Sequence, residues 1–192
     1  MRWLAAAMLL SSLAALAADE HLTEGAAKSP VRVIIYEDLQ CPDCADFRKI
    51  MDAELLPKYA ATVTFEHRDF PLAKHAWARK AAIAARYFEA SQAGLGLAWR
   101  KYAMSHQGEI NAANFDEKLA EFARQSGSDP AKAVAALGDA HLAAMVEKDV
   151  QDGVARGIAH TPTALVNGQP FVETITFEEI SKTIDSELAA AK

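Results

Sequence analysis

The sequence predicts an α/β domain in two halves, a βαβ unit and a ββα unit, parted by an all-helical insertion. Three features carry this reading. Two strand-like runs, Val31 to Tyr36 and Thr62 to His67, flank a segment whose apolar residues recur at helical spacing. From Lys74 to about Gly157 the chain is rich in alanine and helical in its periodicity throughout. Beyond it, Asn167-Gly168 stands between two short strand-like runs, a strong local signal for a hairpin.

Taken in order, Met1 to Leu10 carries one positive charge followed by apolar and small residues that continue to Ala18. This is the pattern of a secretory signal peptide over residues 1–18, with Ala15-Leu16-Ala17 as the small-x-small cleavage site. The stretch is shorter than the roughly 20 apolar residues a spanning helix needs, so a cleaved leader is favoured over an anchor. A polar lead-in over residues 19–30 follows, then the first half over residues 31–73. In that half, Val31 to Tyr36 is β-branched and suits a buried central strand. Phe47, Ile50, Met51 and Leu55 repeat at helical spacing, Pro57 marks a helix end, and Thr62 to His67 alternates as a second strand.

The insertion, residues 74–157, divides at its glycines into helices expected at Lys74 to Ala90, Leu95 to Ser105, Asn114 to Gln125, Asp129 to Leu137 and Asp139 to Arg156. Asn114 with Glu117 forms a capping box, and Asp129-Pro130 sets a cap before a proline at the first helical position. Trp77, Tyr87, Phe88, Trp99 and Tyr102 are expected to form the insertion's own core. The second half, residues 158–192, holds the hairpin Thr163 to Val166 and Gln169 to Val172. A terminal helix follows, opened by a Thr176/Glu179 capping box, with Phe177, Ile180, Ile184 and Leu188 on its buried face.

Acidic residues outnumber basic ones, 26 to 20, so no electrostatic footprint for nucleic acid or anionic lipid is present. No phosphate loop, nucleophile elbow or H-E-x-x-H occurs. The chemistry rests on the chain's 2 cysteines, which stand together as Cys41-Pro42-Asp43-Cys44 at the start of the first helix. A thiolate at a helix N-terminus is stabilised by the unpaired N–H groups and the dipole there. Half a zinc site is the alternative, but tetrahedral zinc takes four ligands and no second Cys pair or H-x₃₋₅-H exists. No cofactor is called for.

Tyr36 to Cys44, together with Ala159-His160-Thr161-Pro162-Thr163 and the strand and turn that follow, resembles the DsbA-like branch of the thioredoxin superfamily. The likeness covers nearly the whole mature chain, helical insertion included. It implies a thioredoxin fold and a thiol–disulfide oxidoreductase of exported, cysteine-containing proteins, located in the periplasm or otherwise outside the cytoplasm and recharged by a membrane redox partner. By the resemblance, Cys41 would be the exposed attacking cysteine, Cys44 the buried resolving one, and Thr161-Pro162 the cis-proline loop, with Thr161 a substrate contact.

The chain departs from the family at two places. Many relatives carry a buried carboxylate six residues before the first cysteine, where this chain has Ile35; Glu37 and Asp38 precede a turn and are expected to be solvated. Between the cysteines, Pro42 is retained but Asp43 stands where a cationic or hydrogen-bonding neighbour would favour the thiolate. An opposition of about 1 kcal/mol lowers the potential by on the order of 20 mV, which sets the expected value between about −120 mV and about −270 mV, less oxidising than DsbA.

Other readings remain beside the oxidant, one within its class and two outside it. The first is a reductase of the same class; an isomerase is disfavoured because Asp19 to Pro30 is too short for a dimerisation domain, and a monomer is the default. The two outside it are a Cu(I)-binding thiol protein with His160 as third ligand, and a module that merely holds unfolded chains around Pro162. His67, His75, His106 and His141 share no spacing with the cysteines and read as surface or helix-packing residues.

Overall fold

A computed structural model describes residues 21–191, so the leader expected over residues 1–18 lies outside the described residues. A five-stranded sheet organises the fold in the order β1-β3-β2-β4-β5. Its strands are β1 Leu22–Gly25, β2 Arg32–Glu37, β3 Thr64–Asp69, β4 Thr163–Val166 and β5 Gln169–Val172. Only β2 and β3 run parallel; every other pair is antiparallel. A parallel pair requires a crossover, and the helix after β2 supplies it.

The crossover helix corrects one expectation. Pro57 does not end it: α1 (Pro42–Ile50) opens into π spacing over Met51–Leu55 and continues as α2 (Leu56–Tyr59). The widened turn places Pro57 in the first turn of α2, where its missing N–H costs nothing. A second correction concerns the lead-in, which contains β1. Of its four residues only Leu22 is a buried hydrophobic, so alternation gives no signal. Pairing with β3, from Leu22 opposite His67 to Gly25 opposite Thr64, makes it a strand.

The insertion folds as α3 (Ala78–Ser91), α4 (Leu95–Ser105), α5 (Phe115–Gln125), α6 (Pro130–Ala135) and α7 (Ala140–Ala155). α3 starts later than expected from Lys74, because the backbone N–H of Trp77 is taken by the Gln40 side chain. Asp129 caps α6 as read, and Asp139 caps α7 in the same way. The Asn114/Glu117 box does not form. Asn114 instead accepts from the Asn111 N–H and donates to the Glu109 carbonyl, a local turn that competes with the cap.

The hairpin and terminal helix stand as expected. Asn167 (φ 45) and Gly168 (φ 97) both take the left-handed turn that a two-residue hairpin needs. α8 (Phe177–Ala190) is opened by Thr176, whose Oγ1 accepts from the Glu179 N–H. α1 and α8 cover one sheet face, packing Phe47, Met51, Ile180 and Ile184 against Val33, Ile35, Phe65 and Val166. α7 closes on the other face at Gly153, where an added Cβ would lie 2.7 Å from the Phe70 ring. The aromatic core of the insertion forms around Trp99, Phe88, Phe115 and Phe122, with Tyr87 and Tyr102 at its edge. Leu39, Cys41 and Cys44 belong to that same cluster, so the insertion seats the thiols.

Candidate active site

Cys41 is the N-cap of α1 (φ −75, ψ 125) and Pro42 is its first helical residue, an arrangement the extended cap and the fixed proline φ both favour. The two cysteines are free thiols. The Cys41 thiol donates to the Thr161 carbonyl at 3.3 Å, and Cys44 Sγ accepts from the Asp38 N–H at 3.4 Å. Thr161–Pro162 is a cis peptide, as the resemblance implied. The expectation of an exposed Cys41 is corrected: it is only 5% exposed. It opens instead on a cavity of about 350 Å³ walled by Leu72, Lys74, His160, Thr161 and Glu173. The segment leading into α3 and the cis-proline loop both line this cavity.

The two thiols are driven apart in acidity. A hydrogen bond with Cys44 is the main influence pulling the Cys41 thiol down to about 6, against the opposing effect of burial and with help from Thr161 and the N–H groups of Cys44 and Asp43. Burial pushes the Cys44 thiol up, and the neighbouring Cys41 adds to it. Asp43, expected to oppose the thiolate, has an exposed side chain and contributes its backbone N–H in the thiolate's favour. Alkylation of the reduced protein should therefore titrate with a midpoint near pH 6 and modify Cys41 alone. A midpoint near that of an ordinary thiol, about 8.5, would contradict the site as described.

Carboxylates and histidines around the thiols also differ from expectation. Glu37 and Asp38 are 3% and 1% exposed, not solvated. Asp38 accepts from the N–H groups of Gln40 and Leu72 and pairs with Nδ1 of His75 at 2.7 Å, tying the loop between β2 and α1 to the cavity wall. Glu37 lies 2.9 Å from Nε of Arg100 and 2.9 Å from Nδ1 of His67. His67 is thus no surface residue: its other ring nitrogen is 3.0 Å from Glu24, so an imidazolium donates to a carboxylate on each side. Burial pushes the Glu37 carboxyl up, but the His67 and Arg100 charges outweigh it and hold the group at about 2. The network extends through Asp69 and Arg86 to Asp149 of α7.

Residues 17–186 match the family described as Thioredoxin. The chain belongs to the thioredoxin family. Its architecture is similar to that of oxidised BdbD from Bacillus subtilis, with a TM-score of 0.80 at 21% identity over 88% of this chain and 94% of that one. Alpha-DsbA1 of Wolbachia pipientis gives 0.79 at 18% identity, covering 91% and 94%. ScsC of Proteus mirabilis in a transitional conformation gives 0.73 at 16%, covering 89% and 74%. These likenesses establish the thioredoxin fold with its helical insertion. Among curated proteins, the chain is 28% identical over 177 residues to Na(+)/H(+) antiporter NhaA 3 of Salinispora tropica and 27% identical to NhaA 1 of Salinispora arenicola. It spans 26% of the length of each.

Within this thioredoxin-family fold, Cys41, Cys44, Thr161 and Pro162 meet at one point, although 120 residues separate Cys41 from Thr161. Thr161 is buried and presents its carbonyl to Cys41. His160 lies on the cavity rim, 61% exposed at its side chain, and pairs with Glu173 at 3.0 Å rather than with a thiol. Among the described residues, no group of three or more His, Cys, Asp or Glu side chains is arranged to hold a metal. Sequence reasoning missed the partners that reach the β2–α1 loop and its flanks: Arg100, His67 and His75 by their charge, and Gln107, which sits in a polar turn. No local pattern marks them, because each reaches the loop from at least 30 residues away.

Proposed function

We propose that the protein is an exported thiol–disulfide oxidoreductase, exchanging a Cys41–Cys44 disulfide with cysteines of exported proteins. The observation that carries this reading is the placement of Cys41 at the N-cap of α1 against the Thr161 carbonyl of the cis-proline loop, with Cys44 buried beside it, which lowers the Cys41 thiol to about 6 and raises that of Cys44. A substrate thiolate attacks Cys41 Sγ, forming the mixed disulfide and breaking the Cys41–Cys44 bond; Cys44 departs with the electron pair and takes a proton. A second substrate thiolate then attacks the substrate sulfur of the mixed disulfide, and Cys41 leaves as a stable thiolate. The substrate dithiol is oxidised and the protein disulfide reduced. A membrane redox partner restores the starting state by accepting the two electrons.

Direction follows from the stability of the reduced form, since a low attacking-thiol pKa makes the disulfide the better oxidant. Cys41 at about 6 falls between DsbA near 3.5 and thioredoxin near 7, which supports an intermediate potential. Work outside the cytoplasm suits both the apolar leader read at residues 1–18 and a disulfide that must persist. A partner at the membrane fits the curated relatives, in which the matched stretch is part of a protein named as a Na(+)/H(+) antiporter.

Equilibration of the purified protein against glutathione, read by thiol trapping, tests the reading. The expected potential lies between those of DsbA and thioredoxin, and a value above about −200 mV supports the oxidant. One near or below about −250 mV makes the protein a reductase, and failure to form the disulfide overturns the thiol–disulfide reading altogether.

A further inference from the structure

The turn after α4 reaches back over the loop between β2 and α1. His106 stacks on Tyr102 with ring centroids 4.1 Å apart, its carbonyl accepts from the N–H groups of Glu109 and Ile110, and Ile110 is buried in the insertion's core. The turn is therefore anchored at both ends. Between those anchors Gln107 extends inward, and its Nε2 donates to two main-chain carbonyls, those of Leu39 and Cys41, each at 2.9 Å. Two acceptors on one nitrogen fix the orientation of the amide, since only the NH₂ end carries two donors.

We propose that Gln107 is a positioning residue for the thiol chemistry: it clamps the junction of loop and helix from which Cys41 projects, and occupies a lone pair on each of two carbonyls at that junction. The inference rests on the oxidoreductase reading given above. The Cys41 carbonyl already accepts the first helical hydrogen bond, from the Ala45 N–H at 3.2 Å, so Gln107 occupies its second lone pair. The Leu39 carbonyl belongs to the loop between β2 and α1, which Asp38 and Gln40 hold by their own side chains. Removing the donor leaves two carbonyls at the loop–helix junction, one of them Cys41's own, with less of their negative charge compensated, and frees the loop on the side of the insertion. The clamp thus makes the helical insertion a working part of the site as well as its cover.

The charged and titratable groups that face Cys41 are Cys44 and Asp43 on α1, Lys74 on the segment before α3, His160 on the cis-proline loop and Glu173 after β5. None is altered by a change at position 107, so a moved Cys41 titration in a variant reports the clamp.

The test compares the reduced wild type with Gln107→Met, which keeps length and volume but has no donor, by following thiolate absorbance against pH. One lost hydrogen bond to a group beside the charge raises the Cys41 midpoint by about one pH unit, leaving about tenfold less thiolate at pH 5. Gln107→Leu, which also lacks the donor and adds no charge, moves the midpoint in the same direction and serves if the methionine variant fails to fold. A lowered melting temperature with an unmoved midpoint would assign Gln107 a purely structural role and overturn the proposal. If the wild type itself forms no disulfide against glutathione, the oxidoreductase reading falls and the clamp's role with it; a wild type that does, beside variants with unchanged titration, overturns the clamp alone.

Discussion

Cys41→Ser is expected to reduce thiol–disulfide exchange to the uncatalysed background, whereas Cys44→Ser leaves the attack intact and accumulates a mixed disulfide. The asymmetry follows from the site. Cys41 opens on the cavity and ionises at about 6, so it is the sulfur an incoming thiol or disulfide meets. Cys44 is 1% exposed, its thiol is pushed up by burial, and its sulfur faces the Asp38 N–H. It reacts only with the sulfur beside it. Incubating each serine variant with a cysteine-containing peptide disulfide and resolving the adducts by mass checks the assignment. A trapped adduct on Cys44 of the Cys41→Ser variant, rather than on Cys41 of the Cys44→Ser variant, would reverse the two roles. Retained turnover in Cys44→Ser would leave a resolving cysteine without a function.

Arg100→Met is expected to destabilise the fold by about 3–5 kcal/mol, a large share of the roughly 5–15 kcal/mol by which domains are stable. The guanidinium is buried, 2.9 Å from Glu37 and paired with Asp69 on its other side. Without it two buried carboxylates each lose one of their cations, leaving Glu37 with His67 and Asp69 with Arg86, and the loop bearing the thiols loses part of its support at Glu37. The triple substitution Arg100→Met with Glu37→Gln and Asp69→Asn should recover part of the loss, because uncharged groups no longer need a buried partner. Denaturant unfolding of the single and triple variants measures both effects, and a single variant as stable as the wild type would show the network to be dispensable.

The same network sets how stability depends on pH. Glu37 is held at about 2, below its unfolded value of about 4.5, so its contribution is present above that value and is lost as pH falls toward 2. For His67, burial pushes the ring down, but Glu37 and Glu24 outweigh it and raise the folded value. Its contribution is complete below about 6.5 and is lost as pH rises through that raised value. Both contributions coexist between about pH 4.5 and 6.5, and with the cysteines joined in their disulfide unfolding free energy should be greatest toward that window. In the reduced protein the Cys41 thiolate is half formed near pH 6, at the upper end of the same range.

Local chemistry determined what the sequence shows by itself. The C-x-x-C pair at a helix start, the Asn167-Gly168 hairpin, the Asp129 and Thr176 caps and the alanine-rich insertion are written in neighbouring residues, because turns, caps and helical periodicity are short-range effects. The tertiary structure decided the rest. β1 is a strand only because β3 offers it an edge, and Pro57 stays within the helix only because the preceding turn widens. Glu37 and Asp38 look like solvated turn residues in sequence, yet they are buried because Arg100, His67 and His75 arrive from 63, 30 and 37 residues away. Gln107 reaches the Cys41 carbonyl across 66 residues. Burying a charge or a backbone carbonyl requires a partner, and that partner is supplied by the fold rather than by the adjacent chain.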